Sequence, residues 1–332
     1  MILLKSPLRI SLLGGGTDFK SFYSRYSGSF LAFTINKYIY TFINDNPNFF
    51  GQRYRFSYSS SESVNEIKEI KNNIIRESLI LKKYKSPFHL TTVSDIPHGN
   101  GLGSSSSFAS SVLLGIDILK NKKKIDKKEL AYETCDLEIN KIKSPIGIQD
   151  QFATALGGFN YHKIHKNGKI LTFSLNKQKK LINDIQNKSA LILIPNEKID
   201  RKLILNQQRK NNYTQENIKL LKIMKKLSDN FYEYTKCNES LYEELIKKVN
   251  TSWECKKGLT KNISNNLIDS IFQDIKKQHL SIGHKILGAG GKGCAIIFFK
   301  SKKNRDNFLE TYKKYKSMSF KLSFNGVENI TL

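Results

Sequence analysis

Between Asp95 and Ser107 the chain reads Asp-Ile-Pro-His-Gly-Asn-Gly-Leu-Gly-Ser-Ser-Ser-Ser, and no other stretch constrains its fold as strongly. It follows Phe88–Val93, an apolar segment of strand composition. It precedes a segment in which Phe108, Val112, Ile116 and Leu119 share one helical face, predicting a helix over 105–119. Glycines at 99, 101 and 103 let the backbone turn sharply and gather several N–H groups at the start of that helix. Uncapped amides and the helix dipole together favour an anion there, phosphate above all. The serines that follow add hydroxyl donors and an oxygen ligand for magnesium. No Gly-Lys-Ser/Thr closes the loop and the Rossmann glycine spacing is absent, so neither common nucleotide fingerprint applies. A flexible glycine-serine connector fits the same composition.

Around this loop the first half reads as mixed strand and helix. Ile2–Leu13, Ser29–Asn44 and Tyr54–Ser59 have strand composition. Glu62–Tyr84, with Ile67, Ile70, Ile74 and Ile75, predicts one long amphipathic helix. Asp126 and Glu129 form a capping-box pattern that opens a helix running toward Asn140. Pro145 opens a short helix that Gly157-Gly158 stops, and Asn167-Gly168 marks a hairpin between Tyr161–His165 and Ile170–Phe173. Beyond residue 190 a strand at Ala190–Pro195 precedes a helical region from about Lys198 to Gln278. A glycine-rich stretch at Gly283–Gly293, a strand at Cys294–Phe299, a helix over Lys303–Tyr315 and a last strand near Phe320–Phe324 complete the chain. This predicts an α+β protein of two lobes, 1–190 and 191–332.

The formal charge of +26 is the extreme value of a 332-residue composition whose hydrophobic fraction, 39%, suffices for a core. Such charge fits an anionic substrate, nucleic acid or membrane surface. The lysines are spread along the whole sequence, however, and runs such as Lys122–Lys124 and Lys179–Lys180 fall between predicted elements, where solvated lysines lie. No basic face interleaved with aromatics appears, so a nucleic-acid partner is not expected. No apolar run is long enough to span a bilayer and none reads as a leader, so no membrane partner is expected either. Cys135, Cys237, Cys255 and Cys294 are scattered without metal-ligand spacing, as in a reduced cytoplasmic protein.

Two further segments give the loop a context. Ser6-Pro7-Leu8-Arg9-Ile10-Ser11-Leu12-Leu13-Gly14-Gly15-Gly16-Thr17-Asp18, Pro97-x3-Gly101-Leu102-Gly103-Ser104-Ser105 and Leu287-Gly288-Ala289-Gly290-Gly291-Lys292-Gly293-Cys294 resemble, in order, the three motifs of the galactokinase, homoserine kinase, mevalonate kinase and phosphomevalonate kinase (GHMP) superfamily. The resemblance covers the whole chain. It implies an N-terminal ribosomal-protein-like α/β sandwich, a C-terminal ferredoxin-like lobe with extra helices, and a substrate held between them. It also implies ATP and Mg2+ as cofactors, with Pro97, Gly99, Gly101, Leu102, Gly103, Ser104, Ser105 and Ser106 binding ATP.

By the same resemblance Ser105 and Glu138 hold the metal, although a surface glutamate pairing with Lys141 fits the local pattern of Glu138 as well. Asp150 resembles the superfamily's catalytic aspartate; by itself it is also an acidic residue in the first turn of a helix, where the dipole favours it. A carboxylate held ionised in that way is a weak general base. Its expected part is therefore to orient the attacking hydroxyl and take its proton late. Arg9 is expected near the reacting groups, or equally in a structural ion pair. Gly15, Gly16, Thr17, Asp18, Asp150 and Gly290 are expected around the substrate.

The turn Gly14-Gly15-Gly16-Thr17-Asp18 departs from the Gly-Glu-His-Thr-Asp pattern of galactokinases and resembles the heptose-phosphate kinase and fucokinase branch. That branch implies phosphorylation of an anomeric hydroxyl, with D-glycero-D-manno-heptose 7-phosphate as acceptor and nucleotide-activated heptose for surface polysaccharide as the destination. A fucokinase and a non-catalytic sugar or nucleotide sensor are the alternatives. Lys37, Arg201, Lys202 and Arg209 are candidates to hold a substrate phosphate, and the protein is expected to be a monomer or homodimer.

Overall fold

A computed structural model of the chain describes residues 1–45, 51–121, 125–194, 201–211, 214–237 and 240–330, without the side chains of 201 and 202. Lys122–Lys124, Pro195, Lys198 and the side chains of Arg201 and Lys202 therefore lie outside the described residues.

The strands in chain order are β1 (Ile2–Leu13), β2 (Gly28–Asn44), β3 (Tyr54–Ser57), β4 (Ser61–Val64), β5 (Phe88–Ser94), β6 (Phe159–Ile164), β7 (Ile170–Ser174), β8 (Ser189–Ile194), β9 (Ser281–Ile286), β10 (Gly293–Phe299), β11 (Ser317–Met318), β12 (Leu322–Ser323) and β13 (Glu328–Asn329). The helices are α1 (Lys20–Tyr26), α2 (Asn73–Leu81), α3 (Ser104–Leu119), α4 (Lys127–Cys135), α5 (Gln149–Leu156), α6 (Lys179–Lys188), α7 (Arg201–Asn211), α8 (Gln215–Tyr234), α9 (Leu241–Leu259), α10 (Asn266–His279) and α11 (Lys302–Thr311).

The first sheet has the path β13-β1-β2-β5-β3-β4, with β6 and β12 also pairing β2 and β7 pairing β6. Strand β2 organises it. Its first half pairs β6 and its second half β5, with β1 alongside both. That explains the continuous apolar run Phe30–Phe33, which is buried on both faces, and the alternation that follows. The pairing of β1 with β2 shifts register at Pro7/Leu8 and again at Ser11/Leu13. Proline cannot donate to the ladder, and irregularities of this kind re-aim the side chains beside them. Arg9 lies between the two.

The second sheet is antiparallel in the order β11-β8-β10-β9. In chain order that is fourth, first, third, second, the split βαβ arrangement of a ferredoxin-like lobe. One buried cluster joins the two sheets, taking Leu8, Leu31 and Phe33 from the first and Leu191, Ile296 and Phe298 from the second, together with Leu245 of α9. A cleft is bordered by both sheets, by Arg9 of the first and Lys285 of the second.

Several expectations are corrected. Glu62–Tyr84 is not one helix: β4, a 3-10 turn at Ile67–Glu69 and the shorter α2 divide it. Asn72 caps α2 by accepting from Ile75 N, while the Glu62 carboxylate takes the amides of Lys71 and Asn72, which ends any helix before them. Pro145 opens no helix; α5 begins at Gln149. Gly283 stands within β9, so the glycine loop is confined to the residues before β10. The helix expected to reach Tyr315 stops at Thr311. The tail recrosses the molecule: β12 pairs β2 and β13 pairs β1, so residues 322–329, expected in the second lobe, complete the first sheet.

Candidate active site

Helix α3 begins with Gly103 in a left-handed conformation (φ 74°) and no side chain caps it, which leaves the amides of its first turn facing the cleft. The loop before it is braced from both sides. The Arg9 amide donates to Leu102 O at 2.8 Å, and Cys294 N, at the end of the third motif, donates to Asn100 O at 2.8 Å. A Cβ on Gly293 would meet that Asn100 carbonyl at 2.7 Å and one on Gly103 would meet Arg9 Cγ at 3.0 Å. The two glycines thus allow the three motifs to close on one another.

A cavity of about 340 Å3 opens where they meet. Gly99, Gly101, Gly103, Ser104, Ser105 and Ser106 face it from the loop, Arg9 from β1, Gly15, Gly16 and Asp18 from the turn after β1, and Asp150 from the first turn of α5. Arg9, 3% exposed, is the hub. Its Nε and Nη2 donate to the two carboxylate oxygens of Asp150 at 2.8 and 2.6 Å, and Nη1 donates to Gly101 O at 2.5 Å. The ion-pair expectation for Arg9 is met in this fork, which ties the glycine loop to the acidic residue.

Helix α4 widens at its end into a π-helical turn, Asp136–Lys141, which carries Glu138. Glu138 is 1% exposed and faces inward, away from Lys141. Its carboxylate accepts from Ser105 Oγ at 2.5 Å, Ser106 Oγ at 2.6 Å and Gln151 Nε2 at 2.8 Å. Burial raises its pKa, while those hydrogen bonds pull it back. Among the described residues no three His, Cys, Asp or Glu side chains cluster as a metal site. One carboxylate and one hydroxyl beside a phosphate-type loop nevertheless fit magnesium, which keeps several waters and takes phosphate oxygens as further ligands.

Asp18 is buried, accepting from Gly16 N at 2.8 Å and Gln149 N at 3.2 Å. Burial first, and then the charge of Asp150, raise its pKa to about 6. Two expected substrate residues lie elsewhere: Thr17 is fully buried, its hydroxyl donating to Gly14 O and Ser29 O, and Gly290 packs on Ile263. Leu102 turns its side chain into the core, and Pro97 borders a second cavity of about 430 Å3 beside Tyr58, Asn72, Ile74 and Phe108. That second cavity shares Ser104 and Ser105 with the first. Arg209 is exposed, and neither it nor Lys37 borders the central cavity. The cations that do border it besides Arg9 are Lys256 of α9 and Lys285 of β9, with Gln208 of α7 near them. Lys285 stands just ahead of the third motif, a signal available in the sequence. Lys256 and Gln208 sit on long helices without any local mark.

Residues 66–158, which include the loop, Glu138 and Asp150, match the family described as GHMP kinases N terminal domain. Through that domain the chain resembles the GHMP kinases. It is 26% identical over 348 aligned residues to the D-glycero-alpha-D-manno-heptose 7-phosphate kinase of Campylobacter jejuni subsp. jejuni serotype O:2, across 99% of this chain and 98% of that protein. The crystal structure of a D-glycero-D-manno-heptose 1-phosphate kinase from Bacteroides thetaiotaomicron is similar in fold, with a TM-score of 0.77 at 19% identity over 100% of this chain and 99% of that one. So is Lactococcus lactis galactokinase complexed with galactose, with a TM-score of 0.71 at 17% identity over 99% and 95% of the two chains. The α+β architecture of this chain matches that of these GHMP kinase structures.

Proposed function

We propose that this protein is a GHMP kinase that transfers the γ-phosphoryl group of ATP to the anomeric hydroxyl of a sugar phosphate, D-glycero-D-manno-heptose 7-phosphate being the acceptor that fits best. The observation that carries the reading is the Arg9 fork, which joins the phosphate-type loop to Asp150 across the cavity. The acceptor rests on the Campylobacter relative, together with the Gly14–Asp18 turn that replaces the galactokinase pattern.

In this reading the loop amides and Ser104–Ser106 bind the phosphates of ATP, and the nucleoside lies in the second cavity against Tyr58, Ile74 and Phe108. Ser105 and Glu138 would hold Mg2+, whose chemical contribution is to neutralise phosphate charge. Asp18 accepts from sugar hydroxyls. Asp150, fixed by Arg9, orients the attacking hydroxyl. The bond from the γ-phosphorus to its bridging oxygen breaks, that oxygen keeping the electron pair and leaving with ADP, as a new bond forms from the γ-phosphorus to the sugar oxygen. The hydroxyl proton passes to Asp150 and then to solvent. Positioning supplies most of the rate in such a transfer. Among the described residues no helix is long and apolar enough to cross a membrane. A role in the cytoplasm, feeding nucleotide-activated heptose, belongs to the same proposal.

A coupled ADP-release assay over a sugar panel tests this. Turnover with heptose 7-phosphate is the expected result. Good turnover with fucose and none with phosphorylated heptoses would move the assignment to a fucokinase. A protein that binds sugar and nucleotide but releases no ADP would be a sensor of the same fold.

A further inference from the structure

Lys285 has no role in the steps above, yet it is the least exposed Lys or Arg among the described residues. It lies on β9, opposite Ile296 of β10, and is 2% exposed. Its Nζ donates to Leu12 O at 2.8 Å, and it borders the central cavity. None of the ion pairs among the described residues involves it. A buried ammonium with three donors, one of them on a neutral carbonyl, is costly unless an anion joins it. The charged groups around the same cavity are Arg9 on β1, Asp18 on the turn after it, Asp150 on α5 and Lys256 on α9. Asp150 is engaged bidentately by Arg9, and Asp18 by two backbone amides. Neither acid thus serves Lys285, and the counter-ion the site lacks must arrive from outside.

Arg9 stands next to the transfer line, but its charge is paired with Asp150 and three of its five N–H donors go to Asp150 and Gly101 O. We propose that Lys285, brought by the second sheet, is a positioning cation for the γ-phosphoryl group of ATP, the charge that Arg9 is too fully engaged to provide. The inference rests on the reading of the protein as an ATP-dependent kinase. Burial, with Arg9 adding to it, lowers the Lys285 pKa to about 7. An incoming phosphoryl group would draw the proton back and hold the side chain charged through the transfer.

Binding of Mg-ADP and of a non-hydrolysable Mg-ATP analogue, measured by calorimetry in buffers of different ionisation heat, tests this apart from turnover. At pH 8 the wild type should take up a proton on binding the analogue and less on binding ADP. Lys285→Met should weaken the analogue by about 10–100-fold, leave ADP within about threefold and abolish the difference in proton uptake. Lys285→Arg should keep the preference for the analogue without the uptake, and thermal melts confirm that each variant is folded. An equal loss for both nucleotides would make Lys285 a plain tether to Leu12 and overturn the proposal. So would a loss confined to the sugar phosphate, or no loss. Wild-type protein that binds both nucleotides yet phosphorylates no sugar would refute only the acceptor, and the binding comparison would still decide Lys285. Wild type that binds neither nucleotide would refute the kinase reading and this role with it.

Discussion

Replacing Arg9 by methionine removes the fork while keeping an unbranched side chain of similar length. Two charge-assisted hydrogen bonds to Asp150, at 2.8 and 2.6 Å, are lost, and Gly101 O loses its donor. Breaking a buried ion pair from one side costs about 3–5 kcal/mol, because the partner is left uncompensated. Here the Asp150 side chain retains 27% of its exposure and can recover some hydration, which places the cost near the lower end, about 3 kcal/mol. That is a large share of the ~5–15 kcal/mol that holds a typical domain together. In the proposed mechanism Asp150, freed from Arg9, also loses its aim at the attacking hydroxyl, and a misplacement of about 1 Å is enough for a ~100-fold fall in kcat.

Equilibrium urea unfolding and steady-state kinetics on Arg9→Met, Asp150→Asn and the double variant measure both effects. The double variant should lose less than the sum of the single losses, by about 1–3 kcal/mol, since each single change already breaks the same pair. Additive losses, or an Arg9→Met protein within about 1 kcal/mol of wild type, would refute the argument that the fork couples loop and acid.

The Asp18 pKa stands at about 6, above its ordinary 3.8, because of burial first and the Asp150 charge second. The folded value lies above the unfolded one, so the stability this group contributes is fully present below about pH 4 and is lost as pH rises through 6; the loss is on the order of 3 kcal/mol. Urea unfolding between pH 4 and 7 should show a shallower fall for Asp18→Asn than for wild type, whereas kcat/KM of the wild type for sugar should rise through pH 6 as Asp18 ionises. Gln151 donates to Glu138 at 2.8 Å from a fully buried position, so Gln151→Leu should raise the magnesium concentration for half-activation by about 10–100-fold, read from a metal titration of turnover.

What was legible in the sequence was local chemistry. The strand–loop–helix around Pro97–Ser107, the hairpin at Asn167-Gly168 and the strands near 190–194 and 294–299 follow from glycine conformations, turn residues and apolar periods that act over a few positions. Periodicity misled where a polar side chain competed for backbone amides: Glu62 and Asn72 cut the expected long helix into a strand, a turn and a short helix. The acidic pair Glu138 and Asp150 was named from motif resemblance, which could not say what each would touch.

That was decided by the tertiary structure. Arg9 and Asp150 are 141 positions apart, Lys285 and Leu12 are 273 apart, and these pairs meet only because tertiary packing brings α5 and β9 against β1. Thr17 and Gly290 looked equal to their motif neighbours and were turned away by packing. The sequence alone thus determined a glycine-serine loop between strand and helix in an α+β chain. Folding decided which cations reach that loop, because burial and counter-charge are set by distant segments that no local pattern records.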